Sequence, residues 1–223
     1  TGPIIFGTLV HETIEDIHKA VLIGEEAIIS EVRIEAWFNH NYEVLSKAQR
    51  IYLSPAVLRI AVNHVIRYYQ REKNNFSKLK EAEVEVSYVK DNYILKGKID
   101  LIKGEGDTVE IIDFKSENKP DLETERHKLA QYQRQLEIYA HIVEGRRNVK
   151  VSKMHLYYTG EESGNPYVTF ERADSKIEST INEIDKVVAR IENKDFAITE
   201  RPTKSCKNCD IRFHCDDKYK KAA

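Results

Sequence analysis

The stretch GKIDLIKGEGDTVEIIDFKS, residues 97–116, decides the fold. It reads as two apolar strands around a glycine-rich turn, yet Asp100, Asp113 and Lys115 stand where a core strand would carry Val or Leu. Buried charge is costly without a partner, so these side chains require a compensating group. Strand side chains alternate, which puts Asp113 and Lys115 on one face, roughly 7 Å apart along the strand. Ile111 shares that face, and Ile112 and Phe114 take the other. Two neighbouring carboxylates repel and hold protons more tightly unless a cation lies between them. A divalent ion such as Mg2+ resolves the conflict, because it takes oxygen ligands and keeps several waters. A lysine beside the ion, not bound to it, orients a water or stabilises developing negative charge. A turn centred near Glu105 opposes Asp100 to residue 110, so the strands must splay or bulge for both acids to reach one ion. The alternative is a solvated strand end with Lys115 paired to Asp113.

The surrounding sequence gives this hairpin its setting. Upstream, AEVEVSYV alternates with period two, and YILKGKIDLI follows a turn at Asp91-Asn92. A third strand covers 108–115. Downstream, residues 122–144 predict a helix with Leu129, Tyr132, Leu136, Tyr139 and Val143 along one stripe. The strands KMHLYYT and PYVTFER follow, joined by GEESGN, and a last helix is predicted over 174–193. Residues 8–23 read as the first helix with Thr8 as N-cap, and 25–76 as a helical insert or lid, broken at Ser54-Pro55. The order of elements predicts a mixed α/β domain.

The 223 residues suffice for one substantial core, and 41% hydrophobic with 32% charged residues is ordinary for a globular protein. Thirty-five basic residues face 37 acidic ones, which argues against indiscriminate charge-driven binding to nucleic acid and leaves room for a local basic groove. No apolar run reaches membrane-spanning length and no secretory leader is read, so a cytoplasmic, prokaryotic location without a membrane partner is expected. The only methionine is Met154 and residue 1 is Thr, which reads as a fragment of a longer protein.

Two further motifs accompany the hairpin. QLEIY puts Gln135 and Tyr139 at i, i+4 on one helix face, a common stripe by itself, and GTLVH opens the first helix with His11, either a third metal ligand or a packed or solvated helical histidine. In the order His, Gly-x-x-Asp, Asp-x-Lys, Gln-x-x-x-Tyr, the chain resembles the PD-(D/E)xK nuclease superfamily. It looks most like the RecB-type branch of helicase-nucleases and CRISPR-associated exonucleases. The matching segments are GTLVH (7–11), GKID (97–100), IIDFKS (111–116) and QLEIYA (135–140). The resemblance implies a restriction-endonuclease-like core, a mixed central sheet flanked by helices, with the helical insert at 25–76. It further implies that His11, Asp100, Asp113 and the Phe114 carbonyl bind Mg2+ or Mn2+. Lys115 then positions or activates the attacking water, while Gln135 and Tyr139 support the site and contact the DNA backbone.

The activity so implied is metal-dependent hydrolysis of DNA, exonucleolytic, in repair or recombination beside a helicase domain of the same chain or a partner subunit. The alternatives are an inactive nuclease fold kept for DNA binding or helicase docking, and a zinc-stabilised interaction domain. Arg126, His127, Lys128 and Arg134 lie close to the site in sequence and either meet phosphates or form a solvated helix face. Glu83 could sit near the site on the first strand, but with Glu85 alternating beside it either reads by default as a solvated edge residue.

In the tail, over 200–223, Cys206, Cys209 and Cys215 form C-x2-C-x5-C. Three clustered cysteines favour a metal site over disulfides, and His214 can be counted as a fourth zinc ligand although it adjoins Cys215. The triplet resembles the one that closes iron–sulfur members of this nuclease branch, where a fourth cysteine lies upstream of the first helix. That resemblance implies a 4Fe–4S cluster in the intact protein, absent from this fragment for want of its fourth ligand.

Overall fold

A computed structural model describes residues 2–90, 92–146 and 149–195. The chain divides into two compact units, Thr1–Ile181 and Asn182–Ala223. The first unit holds the sheet and all the site residues below; the described part of the second ends in an Arg190–Asp195 ion pair at 3.1 Å. The cysteine triplet lies outside the described residues.

In chain order come α1 (Gly2–Leu22), α2 (Glu31–Gln49), α3 (Pro55–Glu72), β1 (Leu79–Lys90), β2 (Tyr93–Glu105), β3 (Thr108–Lys115), α4 (Arg126–Arg146), β4 (Lys150–Tyr158), β5 (Tyr167–Glu171) and α5 (Asp174–Glu192). The five strands form one mixed sheet in sequential order, antiparallel except for β3 and β4. A parallel pair needs a crossover, and α4 supplies it. This is the restriction-endonuclease-like arrangement expected, a mixed sheet flanked by helices.

The first helix starts earlier than its sequence signal, so Thr8 is an interior residue of α1 and not a cap. Its apolar stripe of Leu9, Val10, Ile14 and Ile17 is almost fully buried. Those residues pack in one cluster with Ile34 and Phe38 of α2, Val65 and Tyr68 of α3, and Leu101, Ile112, Phe114 and Tyr157 of the sheet. The helical segment after α1 therefore shares the main core. Its break is built as the sequence suggests: the Ser54 hydroxyl accepts from Val57 N–H, and Pro55 occupies the first turn, where its missing N–H costs nothing. On the opposite face Ile111, Met154 and Leu156 are buried on the side where α4 packs with Leu136, Ala140 and Val143.

Candidate active site

The β2–β3 hairpin turns at Gly106-Asp107, with Glu105 paired to Thr108 and Leu101 to Ile112. One step further on the same register stand Asp100 and Asp113. The turn is thus centred one and a half residues later than the sequence reading placed it, and no splaying is needed to oppose the two acids. Gly106, at φ 53°, takes the left-handed conformation that permits this tight turn. The Phe114 N–H donates to Asp100 Oδ2 at 2.7 Å, tying the end of β3 to the acid of β2.

Asp113 is 6% exposed. Lys115 Nζ stands 2.6 Å from Asp113 Oδ2 as an ion contact, while that buried oxygen accepts no hydrogen bond. Burial pushes the Asp113 carboxyl above the ordinary aspartate range, the Asp100 charge pushes it further, and Lys115 and His11 pull it back in part. His11 comes from α1, its Nδ1 3.7 Å from Asp100 Oδ2. Burial opposes its protonation, but Asp100, Asp113 and Glu83 outweigh that and raise its pKa. Gly7, one turn before His11, lets α1 approach the end of β3: a Cβ there would lie 3.0 Å from Ser116 Oγ.

The helix α4 covers the other side. Gln135 Nε2 donates to the Tyr139 hydroxyl at 2.8 Å, as i, i+4 neighbours can. A Cβ on Gly97 would overlap the Tyr139 ring, so the glycine of GKID is what allows that ring to lie on β2. Lys115 Nζ is 4.0 Å from the centre of the Tyr132 ring. Arg126 and Arg134 are exposed on α4, and Lys128 is ion-paired with Glu117 at 2.8 Å.

Of the two readings the sequence leaves for Glu83, the structure bears out the place near the site and not the default one. A cavity of about 350 Å³ beside the acids is lined by Gly7, Thr8, His11, Glu12, Glu15, Glu83, Lys98 and Asp100. Glu83 is no solvated edge residue: its side chain is 12% exposed and ion-paired with Lys98. Pairing between β1 and β2 skips the position where Glu83 would face Asp100, and Glu83 has a φ of 54°. Left-handed backbone at a non-glycine residue inside a strand is strained, and such strain collects at functional sites. Alternation of apolar residues carries no trace of it. Tyr132 was missed as a site residue, although it lies three residues before Gln135 on the same helical face.

Two carboxylates and one imidazole, joined by a backbone carbonyl, would suit a hard divalent ion. Asp113 Oδ2 is buried and accepts no hydrogen bond, so once Lys115 yields its 2.6 Å ion contact that oxygen can take such a ligand. Among the described residues, no three His, Cys, Asp or Glu side chains stand in ready-made ligating geometry. Lys115 and the Phe114 N–H engage one oxygen of each acid instead.

Over residues 1–216 the sequence matches the family model of the PD-(D/E)XK nuclease superfamily, and the chain belongs to that superfamily. No curated protein matches it. The crystal structure of a "Putative exonuclease" from Eubacterium rectale superposes with a TM-score of 0.51 at 14% identity, covering 91% of this chain and 73% of that one, and so shares the fold. The crystal structure of SSO0001 gives a TM-score of 0.42 at 18% identity over 92% of this chain and 96% of that one.

Proposed function

We propose that the chain is a Mg2+- or Mn2+-dependent deoxyribonuclease acting on single strands or duplex ends as an exonuclease. The observation that carries this reading is the juxtaposition of Asp100 with Asp113 on adjacent strands, with Lys115 against the second acid and His11 against the first. Asp100, Asp113, His11 and the Phe114 carbonyl would hold the ion. A bound divalent ion lowers the pKa of water and neutralises charge on the scissile phosphate.

The chain's own groups do the rest. In hydrolysis the water oxygen bonds to phosphorus as the bond to the leaving oxygen breaks. Lys115 directs its N–H groups at the attacking water or the developing phosphorane charge, and its contact with Asp113 keeps the ammonium beside the second acid. Gln135 and Tyr139, linked to each other, face the strand backbone from α4. The setting we infer from the sequence motifs is a helicase-nuclease in DNA repair or recombination, with Cys206, Cys209 and Cys215 contributing to a 4Fe–4S cluster. Among the described residues no helix is long and apolar enough to cross a membrane.

The test is release of nucleotides from end-labelled DNA with Mg2+ or Mn2+, comparing wild type with Asp113→Ala and Lys115→Ala. Both variants are expected to lose cleavage and keep DNA binding. Unimpaired cleavage in both overturns the assigned site, and DNA binding without cleavage by wild type under every divalent ion favours a binding module.

A further inference from the structure

We propose that Tyr132 is a positioning residue for Lys115, its ring face holding the ammonium against Asp113. Lys115 Nζ lies between two groups of different kind, 2.6 Å from Asp113 Oδ2 and 4.0 Å from the Tyr132 ring centre. A lysine is a point charge on a flexible four-carbon stem, so contact with one carboxylate oxygen leaves its other N–H directions undefined. A second contact, to a ring face, removes most of that freedom. Attraction between an ammonium and a ring strengthens when both are shielded from water, and the Lys115 side chain is only 16% exposed.

The ring is itself fixed. The Tyr132 hydroxyl donates to Glu117 Oε1 at 3.4 Å, and Lys128 Nζ stands 2.8 Å from both oxygens of Glu117. Lys128 also lies 3.9 Å from Glu125 and 5.9 Å from the Tyr132 ring centre. Lys128 and Glu117 thus join the first turn of α4 to the segment just after β3, and the ring is trapped between that pair and Lys115. Gln135 and Tyr139 continue the same stripe of α4. One helix face sets the reactive lysine and the groups that meet the DNA backbone.

The consequence for hydrolysis rests on the nuclease reading above; the clamp itself does not. Tyr132→Leu is expected to lower kcat for DNA hydrolysis about tenfold with KM unchanged, and Tyr132→Phe, which keeps the ring, to recover most of that loss. The Lys115→Ala/Tyr132→Leu double variant should be no slower than Lys115→Ala, because the ring acts through the amine. A purely structural tyrosine would slow both backgrounds alike. In metal-free protein, NMR should find the Lys115 ε-methylene protons shifted upfield by the ring current in wild type and Tyr132→Phe, and unshifted in Tyr132→Leu. Unshifted Lys115 protons in wild type overturn the clamp, even where Tyr132→Leu melts below the assay temperature. So does full kcat in a folded Tyr132→Leu when Lys115→Ala is inactive. If Asp113→Ala and Lys115→Ala both retain cleavage, the nuclease assignment fails and the NMR result still decides the clamp.

Discussion

The Phe114 N–H donates to Asp100 Oδ2 at 2.7 Å, so a side chain of β2 takes the place of a ladder bond at the end of β3. Asp100 therefore has a structural role besides its proposed ligand role, and two substitutions separate them. Asp100→Ala leaves the Phe114 N–H without its acceptor and is expected to cost about 1–3 kcal/mol in denaturant unfolding. Asp100→Asn keeps an acceptor oxygen and should stay much nearer wild type in stability. Both should lose DNA hydrolysis. Equal stability of the Ala and Asn variants would remove the structural role.

The contact between Gly97 and Tyr139 is tested the same way. Any Cβ at residue 97 overlaps the Tyr139 ring, so Gly97→Ala must push α4 or rotate the ring. The expected cost is about 1–3 kcal/mol, as for an overpacked site. Gly97→Ala combined with Tyr139→Ala should cost clearly less than the two single effects added, because the second change removes the obstacle. Additive unfolding energies would show that the ring does not meet residue 97.

The hairpin that opens the sequence shows where reading by pattern succeeds and where it stops. Strand β3 is found at its predicted bounds because Val109, Ile111, Ile112 and Phe114 supply apolar residues to both of its faces between the turn and Lys115. Asp100, Asp113 and Lys115 stood out because they interrupt apolar strands, whereas His11 and the Gln135–Tyr139 pair stood out only through the order of the family motif. The opposition of Asp100 and Asp113 was not legible, since it depends on which two residues make the turn, and Gly104 and Gly106 offered a choice. Alternation could not decide the place of Glu83 for a different reason: its side chain reaches the cavity through a left-handed φ, and alternation assumes extended backbone throughout.

That left-handed residue makes a prediction opposite to the ordinary behaviour of strands. Glycine is normally the poorer strand residue, but a Cβ in the left-handed region costs about 1 kcal/mol. Glu83→Gly and Glu83→Ala lose the Lys98 ion pair alike. The glycine variant should therefore be more stable than the alanine variant by about 1 kcal/mol in chemical denaturation. The reverse order would mean that Glu83 is extended in solution.

His18 should make the chain sensitive to acid, as should His64, whose pKa burial lowers to about 4. His18 is 1% exposed in the core under α1, with Nε2 2.6 Å from the Tyr68 hydroxyl. Burial lowers its pKa from 6.5 to about 3, against a smaller upward pull from Asp100. A histidine depressed in this way stays neutral in the folded chain while the unfolded chain takes up a proton below pH 6.5. Its contribution is present in full above that pH and is lost progressively as the pH falls toward 3. Between pH 7 and pH 5 the expected loss from this one group is about 2 kcal/mol. His18→Gln keeps a hydrogen-bonding partner for Tyr68 and cannot titrate, so the same pH step should cost it about 2 kcal/mol less than wild type. Urea unfolding at the two pH values measures the difference. Equal losses in the two proteins would show that His18 accepts a proton in the folded state.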